Sequence, residues 1–179
     1  TNCDAGEGQK EGGGIRYKFD GVSARAAVQE SIVIEDCMFT NCKGGNGVAC
    51  MIWSEGNVVF NRNTIQDCRC GKFIFVIISS TFVENFQIED CIFKHNLFNN
   101  NGENKEDGGG SGIWIANHKE RIPQGSYTHL KFKNCQWLEN QASAVGGAFA
   151  YGRSETIVNT AITFEKCRFL DNTAKSREG

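Results

Sequence analysis

A short string recurs down the chain. It reads Ile34-Glu35-Asp36-Cys37-Met38-Phe39, then Ile88-Glu89-Asp90-Cys91-Ile92-Phe93, Phe132-Lys133-Asn134-Cys135-Gln136-Trp137 and Phe164-Glu165-Lys166-Cys167-Arg168-Phe169. A degenerate copy, Phe60-Asn61-Arg62-Asn63-Thr64-Ile65, stands between the first two. The template is apolar-x-x-Cys-x-aromatic, with Cys or Asn three residues after the aromatic: Cys42, Cys68, Asn96, Asn140 and Asn172. The copies start at 34, 60, 88, 132 and 164, so the steps are 26, 28, 44 and 32. A period of this size means stacked units, each burying its apolar face against the next.

Each unit also carries a short apolar run after a Gly-rich turn. These are Ile15–Phe19, Val48–Trp53, Phe73–Ile77, Ile113–Ala116 and Gly147–Tyr151. They are too short for helices and rich in β-branched and aromatic residues, so they read as strands. A looser third strand precedes each Cys string, for example Ala26-Ala27-Val28 and Thr156-Ile157-Val158. No stretch holds a 3.6-residue period with capping signals. The sequence therefore predicts an all-β chain, a right-handed parallel β-helix (β-solenoid) of about five to six coils. Three strands would close each triangular coil, with coils stacked at roughly 4.8 Å.

That stacking predicts columns. Cys37, Asn63, Cys91, Cys135 and Cys167 form one interior column, and Phe39, Ile65, Phe93, Trp137 and Phe169 a second. Cys42, Cys68, Asn96, Asn140 and Asn172 fall at a turn, where Asn amides can bond their copies in the next coil. Outside, Asp36, Arg62, Asp90, Asn134 and Lys166 make one column and Glu35, Asn61, Glu89, Lys133 and Glu165 another. Opposite charges alternate along most steps, which favours the register.

The whole of 1–179 reads as a single solenoid segment with an inserted polar region near 97–125. Thr1-Asn2-Cys3 matches Thr40-Asn41-Cys42, and the chain stops where the next Gly-Gly-Ala strand would start. The expectation is a piece of a longer solenoid, its ends meeting further coils or other protein chains.

The net charge of -2 gives no footprint for nucleic acid. No apolar run reaches the ~18 residues of a membrane-spanning helix. Nine cysteines is an odd number, and their spacing is not that of a zinc site. Buried thiols and disulfides between turns both remain open.

The strings resemble the polymorphic outer membrane protein (Pmp-type) repeat, whose motifs are Phe-x-x-Asn and Gly-Gly-Ala-Ile/Leu/Val. Phe93-Lys94-His95-Asn96, Trp137-Leu138-Glu139-Asn140 and Phe169-Leu170-Asp171-Asn172 match the first, and Val145-Gly146-Gly147-Ala148-Phe149 the second. Cys42 and Cys68 depart from it by replacing the Asn. The resemblance implies an extracellular or cell-surface protein with an adhesive or structural role, and it carries no catalytic residues.

Two functions compete. One is a non-enzymatic surface β-helix, an adhesin stalk or a component of a surface assembly, with glycans as possible ligands. The other is a polysaccharide lyase or glycosidase, which needs clustered carboxylates, often with calcium or a basic residue. Asp36, Asp90 and Arg62 share a face and are its candidates. They also alternate in sign down one column, as a structural ladder would. His95, His118 and His129 are scattered, and Trp53 and Trp114 sit on second strands, where core filling competes with sugar stacking. The reading assigns no catalytic, cofactor-binding or metal residues and no cofactor.

Overall fold

The computed structural model describes residues 14–18, 31–44, 49–54, 57–70, 75–79, 86–98, 113–117, 127–143, 146–152 and 159–175. Among these there is no helix. The strands run β1 (Ile15–Lys18), β2 (Ser31–Glu35), β3 (Met38–Thr40), β4 (Lys43–Gly44), β5 (Cys50–Ser54), β6 (Asn57–Asn61), β7 (Thr64–Gln66), β8 (Arg69–Cys70), β9 (Phe75–Ser79) and β10 (Phe86–Glu89). They continue as β11 (Ile92–Lys94), β12 (Leu97–Phe98), β13 (Ile113–Asn117), β14 (Tyr127–Lys133), β15 (Gln136–Leu138), β16 (Gln141–Ala142), β17 (Phe149–Gly152), β18 (Asn159–Glu165), β19 (Arg168–Leu170) and β20 (Thr173–Ala174).

Every fourth strand pairs. Three main sheets form, β1-β5-β9-β13-β17, β2-β6-β10-β14-β18 and β3-β7-β11-β15-β19, and a fourth, two residues wide, is β4-β8-β12-β16-β20. All pairings are parallel, for example Ile88↔Phe132 and Phe93↔Trp137. This is a parallel β-solenoid, and the expected columns fall into register. It departs from the three-strand expectation in one respect. The Cys string is not one strand but the end of one and the first two residues of the next, joined at a corner, and two-residue strands follow a second corner. Of the polar region near 97–125, Leu97–Phe98 and Ile113–Asn117 are strands paired in their sheets. The remainder of that region, the Ala26–Val28 and Thr156–Val158 runs and the Thr1–Cys3 match lie outside the described residues.

Both corners have one construction. The first turns at Asp36, Arg62, Asp90, Asn134 and Lys166, the second at Asn41, Asp67, His95, Glu139 and Asp171, and all ten have φ between 52° and 55°. A single left-handed residue between extended neighbours bends the strand and costs an L-residue about 1–2 kcal/mol. The amide of the left-handed residue donates to the next rung, as Asp90 does to Lys133 O (2.9 Å) and His95 to Leu138 O (3.0 Å).

The residue after each bend points inward and completes the corner. In the second corner Asn96, Asn140 and Asn172 donate Nδ2 to the carbonyls of Ile65, Phe93 and Trp137 at 2.8–3.0 Å. Each acceptor lies in the preceding rung. In the first corner the Sγ–H of Cys91, Cys135 and Cys167 faces two carbonyls, that of Phe60, Ile88 or Phe132 in the preceding rung at 3.3–3.5 Å and that of Glu89, Lys133 or Glu165 two residues back at 3.1–3.5 Å. Asn63, the apparent defect of the degenerate copy, donates Nδ2 to Ile34 O at 2.8 Å and accepts from Cys37 N at 2.8 Å. Cys and Asn thus interchange because each is small and each brings a donor to the same carbonyl. A buried carbonyl without a partner would cost about 1–3 kcal/mol.

Between the corners, apolar residues recur five apart and fill the interior: Phe60, Ile65 and Cys70, then Ile88, Phe93 and Phe98, then Phe132, Trp137 and Ala142, all buried. Phe93, Trp137 and Phe169 stack nearly parallel, with ring centroids 5.3 and 4.6 Å apart. Phe132 and Phe164 stack beside them at 4.9 Å, and Trp137 meets both edge-on. Such pairs add about 0.5–1.5 kcal/mol each beyond their buried area. The Trp137 indole N–H is buried without a hydrogen-bond partner.

Candidate functional site

The outer side of the first corner brings the enzyme candidates together. The guanidinium of Arg62 grips Asp36 with Nε–Oδ1 at 2.7 Å and Nη2–Oδ2 at 2.8 Å, and Nη2 also reaches Glu35 Oε2 at 3.3 Å. Asn61 Nδ2 donates to Glu35 Oε1 at 3.2 Å. Two rungs further along, Asn134 Nδ2 donates to Asp90 Oδ1 at 3.0 Å, and Lys133 Nζ lies 3.5 Å from Glu89 Oε2. Lys131 Nζ lies 3.4 Å from Glu165 Oε2. Each contact joins a residue to a neighbouring rung.

The Arg62 hydrogen bond holds the Asp36 carboxyl below the usual carboxylate range, and the same pair pushes the Arg62 guanidinium up. A carboxylate held ionised is a poor general acid. Asp36 and Asp90 are two rungs apart, roughly 9–10 Å along the stack from the inter-strand spacing, with Arg62 between them. The pair is open to solvent, Arg62 being 49% and Asp36 67% exposed at the side chain.

His95 lies at the second corner. Its Nδ1 is 3.4 Å from Asp67 Oδ1 and its Nε2 3.7 Å from Glu139 Oε1, so one ring bridges three rungs. His129 Nε2 meets Thr163 Oγ1 at 3.0 Å. The three histidines do not converge: His95 lies at the second corner, His129 on β14, and His118 outside the described residues. Among the described residues no three His, Cys, Asp or Glu side chains gather as metal ligands would. The strands of Trp53 and Trp114 are paired in their sheet, but those side chains lie outside the described set.

The eight described cysteines are free thiols, six buried and two, Cys37 and Cys167, partly exposed. Burial drives the Cys50 thiol well above its ordinary range. Stacking on a thiol below, Cys42 for Cys68 and Cys91 for Cys135, raises both further, with burial acting in the same direction.

A cavity of about 560 Å³ opens at the last rung, lined by Phe149, Phe164, Phe169, Asp171 and Asn172 among others. Phe164 is 39% and Phe169 47% exposed, although their column partners Phe132 and Trp137 are fully buried. It lies away from Asp36, Arg62 and Asp90.

The second corner's outer column of Asn41, Asp67, His95, Glu139 and Asp171 is absent from the sequence reading. Its signal is the polar residue before each Cys or Asn of the turn column, the same offset that places Asp36 and Asp90 in the first.

No family model, no curated protein and no solved structure matches the chain.

Proposed function

We propose that the chain is a stretch of right-handed parallel β-helix, about five to six coils long, serving as a non-enzymatic stalk or structural component of an extracellular or cell-surface assembly. The observation that carries this reading is the state of the enzyme candidates. Asp36 and Arg62 are closed on one another, and Asp90 on Asn134, across rungs. Their pairing supports a role in fixing the stack. The Pmp-like strings at Phe93–Asn96, Trp137–Asn140 and Phe169–Asn172 support the surface assignment.

The test is an assay against polyuronates and neutral glycans, with and without calcium. The expected result is no turnover. Turnover that Asp90→Asn abolishes, with the far-ultraviolet spectrum unchanged, would establish the lyase or glycosidase instead. Surface biotinylation of cells expressing the full-length protein checks the location, and exclusive intracellular recovery would contradict it.

A further inference from the structure

The outward columns at the first corner change sign along the stack. Through the first three rungs the described positions there hold Glu35, Asp36, Glu89 and Asp90 against the cation Arg62. Over 127–136 and 159–168, in the next two rungs, they hold Lys131, Lys133, Lys166 and Arg168 against Glu165. That is a local excess of three positive charges in a chain of net charge -2. The ladder accounts for two of the cations, Lys133 beside Glu89 at 3.5 Å and Lys131 beside Glu165 at 3.4 Å. Lys166 follows Asn134 in its column and Arg168 pairs in register with Gln136, and neither has an ion pair among the described residues. These columns face sideways from the stack, so a rung on either side leaves them open. Lys131 and Lys133 are 39% and 35% exposed at the side chain although β14 is paired on both edges. Arg62, in the column of Lys166, is equally open with bonded rungs on both sides.

We propose that this outer edge of the first corner binds an acidic polysaccharide, a linear glycan bearing carboxylates or sulfates. The inference rests on the cell-surface reading above, which supplies the setting in which such a polymer is met. The cations follow a line. Lys131 and Lys133 stand two residues apart, about 6.6 Å, Lys166 follows at the corner one rung on, and Arg168 lies past it on β19. A flexible polymer with repeated charges can bend round the corner and meet all four, whereas a rigid duplex meets one side of a convex edge. The described outward side chains of these two rungs include no Phe, Tyr or Trp on which the bases of a single strand would stack. They include Thr163, Asn134 and Gln136, whose hydroxyl and amides match sugar hydroxyls. Arg168 adds a planar fork that fits a carboxylate or a sulfate.

Binding of the whole chain to polygalacturonate, dextran sulfate, uncharged dextran and double-stranded DNA is measured by biolayer interferometry at low and at physiological salt. The expected result is binding to at least one of the two acidic glycans, weakened by salt, and none to dextran; the tighter glycan tells carboxylate from sulfate. Lys166→Glu with Arg168→Glu should weaken binding about tenfold or more, while Lys43→Glu with Arg69→Glu, the same charge change on β4 and β8, should alter it less than about twofold. Equal losses in the two variants would overturn the proposal, since overall charge alone would then govern binding. So would no binding by the parent chain, or DNA bound more tightly than either glycan. The comparison of polymers on the parent chain decides even where a variant fails to fold. Turnover of polygalacturonate would defeat the non-enzymatic reading and leave the binding result standing, whereas absence of both binding and turnover defeats this inference alone.

Discussion

Replacing Asn140 by Ala removes the centre of the buried Asn ladder. The Asn140 side chain makes four hydrogen bonds. Nδ2 donates to Phe93 O at 2.9 Å and Asn172 Oδ1 at 2.8 Å, and Oδ1 accepts from Asn96 N at 3.1 Å and Asn96 Nδ2 at 3.0 Å. Two neighbours keep other bonds, since Asn96 Nδ2 still reaches Ile65 O and Asn172 Oδ1 still accepts from Asn140 N. The Asn96 amide loses its acceptor and Phe93 O loses its side-chain donor, both inside the solenoid. At about 1–3 kcal/mol for the stranded Asn96 amide, Asn140→Ala should cost roughly 1–3 kcal/mol. Asn140→Cys should cost less, because a thiol reaches the same carbonyl, as Cys68 Sγ approaches Phe39 O at 3.7 Å. Urea unfolding followed by tryptophan fluorescence ranks the three proteins. The corner account fails if Asn140→Ala costs less than 1 kcal/mol, or if Cys is worse than Ala.

Other outcomes follow from the same geometry. Trp137→Ala should cost about 3–5 kcal/mol, the range for a large core truncation, and Trp137→Phe less, since it also removes the unpartnered indole N–H; calorimetry separates them. Asp90→Val places a β-branched side chain at φ 53° and should lower stability by about 1–3 kcal/mol, while Asp90→Gly should be tolerated; both are read from thermal melts. The lowered Asp36 carboxyl contributes stability that is complete above the ordinary value of about 3.9 and is lost as pH falls through its depressed folded value. Arg62→Leu should flatten that acid limb of the stability curve and lower stability at pH 7 by the same small amount, small because the pair is solvent-exposed.

The columns were legible in the sequence because stacking repeats one residue type at one offset, and Cys, Phe and Trp are rare enough to mark it. The charge ladder was legible for the same reason. The corners were not. Left-handed positions usually advertise themselves with Gly or Asn, whereas here they also hold Arg62, Lys166, His95 and Glu139, whose side chains read as ordinary surface polarity. Strands of two residues, such as Gln141–Ala142, are too short for any alternation to reveal, so three strands per unit were counted where four exist. Asn63 breaks the Cys identity of its column while keeping its donor to the carbonyl below, a likeness that residue identity does not display. For the candidate site, the shared face of Asp36, Arg62 and Asp90 was visible. The bidentate grip on Asp36 depends on side-chain conformation, and the bridge through His95 on a second corner whose existence sequence spacing alone did not disclose.

The five copies of the two-corner segment, 34–44, 60–70, 88–98, 132–142 and 164–174, have equal length, while the stretches between them do not. All length variation thus falls on either side of the β1-β5-β9-β13-β17 sheet. Such a chain can accept genetic insertions there, even long ones, while every column keeps its alignment. A single residue added between positions 88 and 98 would instead rotate the inward set outward. Growth of the protein over evolutionary time is thereby confined to one flank, leaving the cornered flank as an unvarying spine.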